Sequence, residues 1–238
     1  MSVIARAAAL TVAVLVVVGV GIFIAVFYLG SKSQLTNVAY TASAGQVNLV
    51  LQEDPQNNSS SRPDWVSYFV QDPKTHRFVH TTLFSIPEHV KVNVTIYGYD
   101  GCTPLRNNFF SRIQGTDGNT VSVQQFNKGK ALGPARTVSV IDSWASCSVG
   151  HTFAIPSLGL FVPVASPNAQ LSANLCPSSP CTPSQGPYSV EKFSFTSPSH
   201  TGIWRWQCFV PCGGGFIDGN SGPMQTLGYM MGEMQVVS

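Results

Sequence analysis

The feature of this sequence that most constrains its fold is a series of short segments in which apolar and polar residues alternate. The clearest is HVKVNVTIYGY, where every second residue from Val90 to Ile96 is apolar. This period of two is typical of a strand with one buried face. The further segments predicted as strands are GQVNLVLQ, WVSYFVQD, HRFVHTTLFSI, VSVQQF, RTVSVID, HTFAIPSLGLFVPV, EKFSFTS, TGIWRWQCFV and GEMQVVS. Turns rich in Gly, Pro, Asn and Ser separate these segments, so the sequence predicts an all-β sandwich.

The N-terminus carries a different signal, a long run without charge. Ala7 to Leu29 contains 23 uncharged residues, which as a helix would span about 34 Å and match a bilayer core. A cleaved secretory signal is the alternative, but the apolar core of such signals is shorter, about 7 to 15 residues. We therefore predict an N-terminal transmembrane helix in residues 1–30, a stalk in residues 31–44 and a domain in residues 45–238.

Charge and cysteine content indicate the compartment and exclude one class of partner. The net charge is +2 and only 10% of residues are charged, so nothing suggests nucleic acid as a partner. The segment CPSSPC places Cys176 and Cys181 at a spacing that closes a small disulfide loop. Asn57, Asn58 and Asn93 each begin a glycosylation motif. These features favour an oxidising exterior, and predict a single-pass protein of the cell membrane with its N-terminus cytoplasmic and its C-terminal domain extracytoplasmic.

Two stretches of the predicted domain have the composition of insertions. Gly101–Cys147 lengthens the connection between two predicted strands, and Pro163–Pro187 is rich in Pro, Ser and Asn. Long connections of this kind usually serve a partner or a site. We therefore expect both stretches to lie at a functional surface.

The second half of the chain carries an ordered pair of motifs. His151 is followed by a P-x-x-G turn at Pro156–Gly159, and later an aromatic strand leads into a Q-C-x-x-x-C loop with Cys208 and Cys212. This order resembles the cupredoxin domain of subunit II of haem–copper oxidases, from about residue 88 to the C-terminus. The resemblance implies a cupredoxin-like Greek-key β-sandwich.

The resemblance also implies a set of copper ligands, and one of them is missing. In that family a binuclear CuA centre uses two bridging cysteines, two histidines, a methionine and a backbone carbonyl. The position of the second histidine is Phe216 here, and that of the methionine is Gly219, with Met224 the nearest methionine. Because a phenyl ring donates no ligand atom, we expect no binuclear centre and no cofactor in this chain. If copper is bound, the ligands would be His151, Cys208, Cys212 and Met224, and a blue-copper site would need His200 as its second histidine.

Without metal, the same resemblance implies a disulfide within the cysteine loop. In the family's loop the two sulfurs already face each other, and an oxidising exterior would join them. The disulfides expected on this basis are Cys208–Cys212, Cys176–Cys181 and, from the cysteines that remain, Cys102–Cys147. The pairing stays open, because six cysteines permit many connectivities.

Three functions are compatible with these residues. The leading hypothesis is a non-catalytic, CuA-less subunit-II-like component of a membrane terminal oxidase, of the quinol-oxidising type, that forms a structural cover on the outer face. Its partners would be an integral membrane catalytic subunit, which carries the haem and copper, and other membrane subunits, all within the lipid bilayer. One alternative is a membrane-anchored electron carrier with a single copper. The other is an accessory subunit of a different membrane or cell-envelope complex.

Overall fold

The computed structural model describes residues 3–25, 35–56, 64–102, 107–141, 148–167, 176–212 and 222–238. The chain divides into two compact units, residues 1–36 and residues 37–238. The first unit contains α1 (Val3–Ile24). In the described part of the chain no helix is both long and apolar enough to cross a membrane. The predicted anchor is therefore not confirmed: α1 ends five residues before Leu29, and residues 26–34 lie outside the described ranges.

The second unit is a sandwich of two β-sheets. Its strands are β1 (Asn37–Ala39), β2 (Gln46–Asp54), β3 (Ser67–Gln71), β4 (Phe78–Val79), β5 (Leu83–Pro87), β6 (Lys91–Gly98), β7 (Val121–Asn127), β8 (Lys130–Ala131), β9 (Arg136–Val138), β10 (Val149–Ile155), β11 (Leu160–Ala165), β12 (Pro187–Thr196), β13 (Gly202–Gln207) and β14 (Met231–Val237). One sheet has the order β1-β5-β14-β13-β10-β11. The other has the order β4-β3-β2-β6-β12-β7-β8, with β9 also paired to β7. The all-β prediction is confirmed for this unit.

Alternating burial along the strands explains why the two sheets pack face to face. In β6 the side chains of Val92, Val94 and Ile96 are buried, and the residues between them are not. Trp206 of β13 is fully buried and meets Tyr68 of β3 edge-to-face, with ring centroids 5.1 Å apart. These inward side chains exclude water from one continuous core, which is the main stabilisation of a β-sandwich.

The structure differs from the predicted boundaries in three places. The stretch predicted as a stalk contains β1, which pairs in parallel with β5 and buries Val38. The stretch predicted as an insertion over residues 101–147 contains β7, which confirms the predicted strand VSVQQF and pairs with β12 inside the larger sheet. The second predicted insertion begins at Pro163, but in the structure Pro163 lies within strand β11. Proline is tolerated there because β11 is at the edge of its sheet, where a missing N–H breaks no ladder bond.

Candidate metal centre

The structure brings together three of the four predicted copper ligands. His151 lies in β10, Cys208 directly follows β13, and Cys212 is four residues further on. The Nδ1 atom of His151 is 3.2 Å from the Cys212 sulfur and 3.6 Å from the Cys208 sulfur. The two sulfurs are 3.0 Å apart. All three side chains are buried, so the donors converge on one enclosed point.

A β-bulge in β10 directs His151 to this point. Val149 pairs with Ala165 and His151 pairs with Val164, so Gly150 is the extra residue between two consecutive pairs. A Cβ atom at Gly150 would lie only 3.0 Å from the carbonyl oxygen of Gly101. A larger residue at this position would therefore push β10 away from the neighbouring loop and misdirect the imidazole.

Main-chain groups of the cysteine loop, residues 208–212, surround the sulfurs. The Cys208 sulfur accepts hydrogen bonds from the N–H groups of Thr152 and Val210, at 3.3 and 3.4 Å. The Cys212 thiol donates to the carbonyl oxygen of Val210, at 2.7 Å. The Phe209 N–H donates to the Thr152 hydroxyl, at 2.7 Å. Two hydrogen bonds to Thr152 thus bind the loop to β10, one through the Cys208 sulfur and one through the Phe209 N–H. The Val210 carbonyl oxygen lies beside the sulfurs and is a further potential metal ligand.

Two carboxylates occupy the opposite side of the His151 ring. The Nε2 N–H donates to Oδ2 of Asp100, at 2.9 Å, and Oε1 of Glu53 lies 3.2 Å from the same nitrogen. Because one N–H serves only one of them, Glu53 Oε1 is buried without a hydrogen bond among the described residues. The Asp100 N–H in turn donates to Oε2 of Glu53. With Nε2 held in this way, Nδ1 faces the sulfurs, which is how an outer carboxylate orients a metal-binding histidine.

The charges of this cluster depend on one another. Burial lowers the pKa of His151, but the adjacent carboxylates and the Cys212 sulfur outweigh burial and hold that pKa well above its usual range. Burial raises the pKa of Cys208, but hydrogen bonds from Cys212 and His151 leave it well below the usual value. Burial and the Cys208 sulfur together raise the pKa of Cys212. The charged forms of His151 and Cys208 thus favour each other, while Cys212 holds its proton more tightly than a free cysteine does.

The pKa values of the two carboxyl groups move in opposite directions. Burial opposes ionisation of Asp100, but the hydrogen bond from His151 prevails and lowers the pKa of Asp100. Burial raises the pKa of Glu53, which is the deeper of the two. Both groups favour the charged imidazole, Glu53 through its charge and Asp100 through its hydrogen bond.

The cysteines agree with the predicted disulfides in part. Cys176 and Cys181 form a disulfide, as predicted. Cys102 is also disulfide-bonded, and Cys147 lies outside the described residues. Cys208 and Cys212 are free thiols in the structure, in contrast to the predicted bond. The Cys208 sulfur instead accepts hydrogen bonds from Thr152 of β10 and from the Cys212 thiol, and this arrangement has the donors of a metal site.

The remaining predicted site residues lie in varied surroundings. Met224 is in a short 3-10 turn, Gly222–Gln225, and is buried in the same hydrophobic core as both cysteines. His200 is exposed and its ring lies 5.2 Å from that of Trp204, near the start of β13. Because Cys208 follows the other end of this strand, roughly 20 Å separates His200 from the sulfurs. His200 is therefore not a ligand of this cluster, and Phe216 lies outside the described residues.

The structure also bears on the glycosylation motifs. Asn57 and Asn58 lie outside the described residues. Asn93 lies in β6, and its side-chain amide donates to the side-chain oxygens of Gln46 and Asn48, at 2.9 and 3.2 Å. Its glycosylation stays a prediction.

Sequence reasoning did not find Glu53 and Asp100. Glu53 is a charged residue within a buried strand, and Asp100 follows the end of the neighbouring strand β6. A buried acidic residue in β2 is the only signal that pointed to the site, because carboxylates are buried chiefly where they have a partner.

Comparisons with known proteins give fold-level likenesses only. No protein-family model and no curated protein matches the chain. Among solved structures, the chain is similar to the metal-binding domain of the Cu(I)-exporting P-type ATPase CopA of Streptococcus pneumoniae, at 8% identity and a TM-score of 0.33, over 86% of this chain and 99% of that one. It is also similar to rusticyanin from Thiobacillus ferrooxidans, at 12% identity and a TM-score of 0.32, over 86% of this chain and 85% of that one. At these TM-scores the likenesses establish neither a family nor a function.

Proposed function

We propose that the β-sandwich binds a single copper ion at His151, Cys208 and Cys212, and that it works as an electron carrier of the cupredoxin type. The observation that carries this proposal is the convergence of the His151 Nδ1 atom and two unpaired sulfurs within 3.6 Å of one another. Thiolate sulfur and imidazole nitrogen are the donors that copper prefers in both of its oxidation states.

The donor set fits one ion and does not fit two. Nitrogen–sulfur separations of 3.2 and 3.6 Å match two donors of one ion whose bonds are about 2.0 to 2.3 Å long. The Val210 carbonyl oxygen, 2.7 Å from the Cys212 sulfur, offers a fourth donor. A binuclear centre needs a second imidazole, and the sequence has no histidine after Cys212.

The residues around the donors support a redox role for such an ion, which would supply one-electron transfer. Burial of His151 and Cys208 excludes water and keeps the ligands in one geometry. Asp100 holds the imidazole ring through Nε2. Metal binding requires a neutral imidazole and deprotonated thiols, so the cluster releases protons when the ion binds.

Copper titration of the purified, reduced chain tests this proposal. We expect about one copper per chain after excess metal is removed. His151→Ala and Cys208→Ser should each weaken binding at least tenfold, because each removes a donor. His200→Ala is the matched control, since it removes an exposed imidazole at the far end of β13 and should leave affinity unchanged. A wild-type copper content near zero, or unchanged binding by Cys208→Ser, would refute the proposal.

The metal-free structural subunit of a terminal oxidase is the second candidate. What favours it is Phe216, which stands at the position where the resemblance to oxidase subunit II requires the second histidine. In this proposal the domain lies on the outer side of the cell membrane and covers a haem-bearing catalytic subunit. Native purification tests it, because a haem-containing membrane partner should co-purify. Co-purification of other envelope proteins would instead support an accessory subunit of a different complex.

A further inference from the structure

Four phenylalanine rings cover the outside of the cysteine loop. They come from three parts of the chain: Phe109 and Phe110 from a 3-10 turn in the stretch predicted as an insertion, Phe161 from β11, and Phe209 from the cysteine loop itself. We call them the phenylalanine cluster. Phe110 and Phe209 form a stack with nearly parallel planes, with ring centroids 5.2 Å apart and planes at 8°. The centroid of Phe161 lies 6.2 Å from that of Phe110 and 6.1 Å from that of Phe209.

The turn that carries Phe110 is attached firmly to the sandwich. Its N-terminal Asn107 side chain accepts a hydrogen bond from the Phe109 N–H, at 3.0 Å. Beyond the turn, Gln114 and Phe161 exchange two backbone hydrogen bonds of 2.9 Å each. The backbone that carries Phe110 is therefore joined to β11 by hydrogen bonds that do not involve the cysteine loop.

The opposite is true of Phe209, whose position determines that of the metal donors. Its neighbours in the chain are Cys208, which provides a sulfur, and Val210, which provides a carbonyl oxygen. Its backbone N–H is bound to Thr152, next to His151. A shift of Phe209 would move both chain neighbours, so a contact that holds the Phe209 ring also holds the donors.

We propose that Phe110 is a positioning residue for the metal centre: by stacking on Phe209 it keeps the cysteine loop closed against β10. This inference rests on the proposed metal site for its purpose, but the closure itself is a property of the metal-free protein. A stacked aromatic pair stabilises a contact by an amount equal to roughly a three- to tenfold change in an equilibrium constant. Loss of the Phe110 ring should raise the population of the open loop by that factor.

Labelling of the two free thiols measures this opening directly. The experiment uses the full, metal-free chain with its disulfides intact, treated with iodoacetamide under native conditions, and peptide mass spectrometry assigns the labelled cysteines. Phe110→Ala should raise the labelling rates of Cys208 and Cys212 roughly three- to tenfold over wild type. Phe110→Tyr retains the ring and should restore the wild-type rates.

A matched control separates closure of the loop from general loss of stability. Phe126 and Tyr188 form a similar stack in the other sheet, with centroids 4.9 Å apart and planes at 8°. Phe126→Ala should lower the free energy of unfolding by a comparable amount and leave the labelling rates of Cys208 and Cys212 within about twofold of wild type. If Phe110→Ala does not fold, Phe110→Leu takes its place, because leucine keeps apolar volume without an aromatic face. It too should raise the labelling rates of Cys208 and Cys212.

The outcomes distinguish this inference from the proposed function. Equal labelling in wild type and Phe110→Ala, or equal acceleration by Phe110→Ala and Phe126→Ala, would overturn the positioning role. If wild type binds no copper but Phe110→Ala still labels faster, the proposed function fails and the role of Phe110 stands. If copper binds, Phe110→Ala should also lose it to a Cu(I) chelator at a rate raised by a similar factor.

Discussion

A buried glutamate outside the metal centre makes the stability of the sandwich depend on pH. Glu191 lies in β12 and is fully buried. Its Oε1 atom accepts a hydrogen bond from the Ala165 N–H, at 2.5 Å, while Oε2 has no hydrogen-bond partner among the described residues. Burial raises the pKa of Glu191 from 4.5 to about 8. In the folded protein the carboxyl group is therefore largely protonated at pH 7.

The size of the effect follows from the difference between the folded and unfolded pKa values. A pKa of about 8 against 4.5, at roughly 1.4 kcal/mol per unit, corresponds to at most about 5 kcal/mol. The folded state binds the Glu191 proton more tightly than the unfolded state does, and this difference adds to the free energy of unfolding. The contribution is fully present below pH 4.5 and is lost as the pH rises through 8. Glu191→Gln has a similar shape, retains an acceptor for the Ala165 N–H and removes the titration.

Urea unfolding of wild type and Glu191→Gln between pH 5 and 8.5 measures the effect. We expect the wild type to lose several kcal/mol relative to the variant across this range. Other groups with raised pKa values, such as Asp54 at about 7, titrate in both proteins and cancel in the difference. Glu88→Gln, on the turn between β5 and β6, is a control for the same loss of charge. If the wild-type and Glu191→Gln curves run parallel, Glu191 does not titrate differently on folding and the reasoning is wrong.

Three further predictions concern the centre and the core. Asp100→Asn should weaken copper binding by about ten- to a hundredfold in a competition titration, because it removes the charge that orients His151; unchanged affinity would contradict the positioning of the ring. Gly232→Ala should destabilise the fold by about 2 kcal/mol or more in urea unfolding, since its Cβ would lie 2.4 Å from the Trp206 ring; a stable variant would show that this contact relaxes. Replacing both Cys176 and Cys181 by serine should lower the free energy of unfolding by about 2 kcal/mol and leave copper binding intact. A parallel loss of copper would show that the metal centre depends on this disulfide.

The strands could be predicted because their periodicity is local. In β6 and β12 one face is buried and the other is not, so the alternation is written in consecutive residues. Strand β1 could not be predicted, because it has three residues and its pairing with β5 lies far along the chain. The stretch 101–147 was interpreted as an insertion because of its length, although VSVQQF within it was predicted as a strand, and pairing with β12 makes that strand, β7, part of the sheet.

Some features of the candidate metal centre could likewise be predicted from the sequence, and others could not. The resemblance to oxidase subunit II named His151, Cys208 and Cys212 as the ligands that copper would use if it were bound, although the sequence led us to expect no cofactor. Their free thiols were not predicted, because spacing alone does not decide between a disulfide and two thiols held by hydrogen bonds. Phe110 carried no signal at all, since its stacking on Phe209 joins residues far apart in sequence.

The amino-acid sequence by itself determined the alternation that makes this chain a β-sandwich and the residue types from which a copper site could be built. Only the tertiary structure decided which side of His151 faces the sulfurs, because that depends on Glu53 in β2, on Asp100 just after β6 and on a bulge at Gly150. The physical reason is that periodicity is a local property of the chain, whereas the direction of a buried side chain is set by all the groups that meet around it.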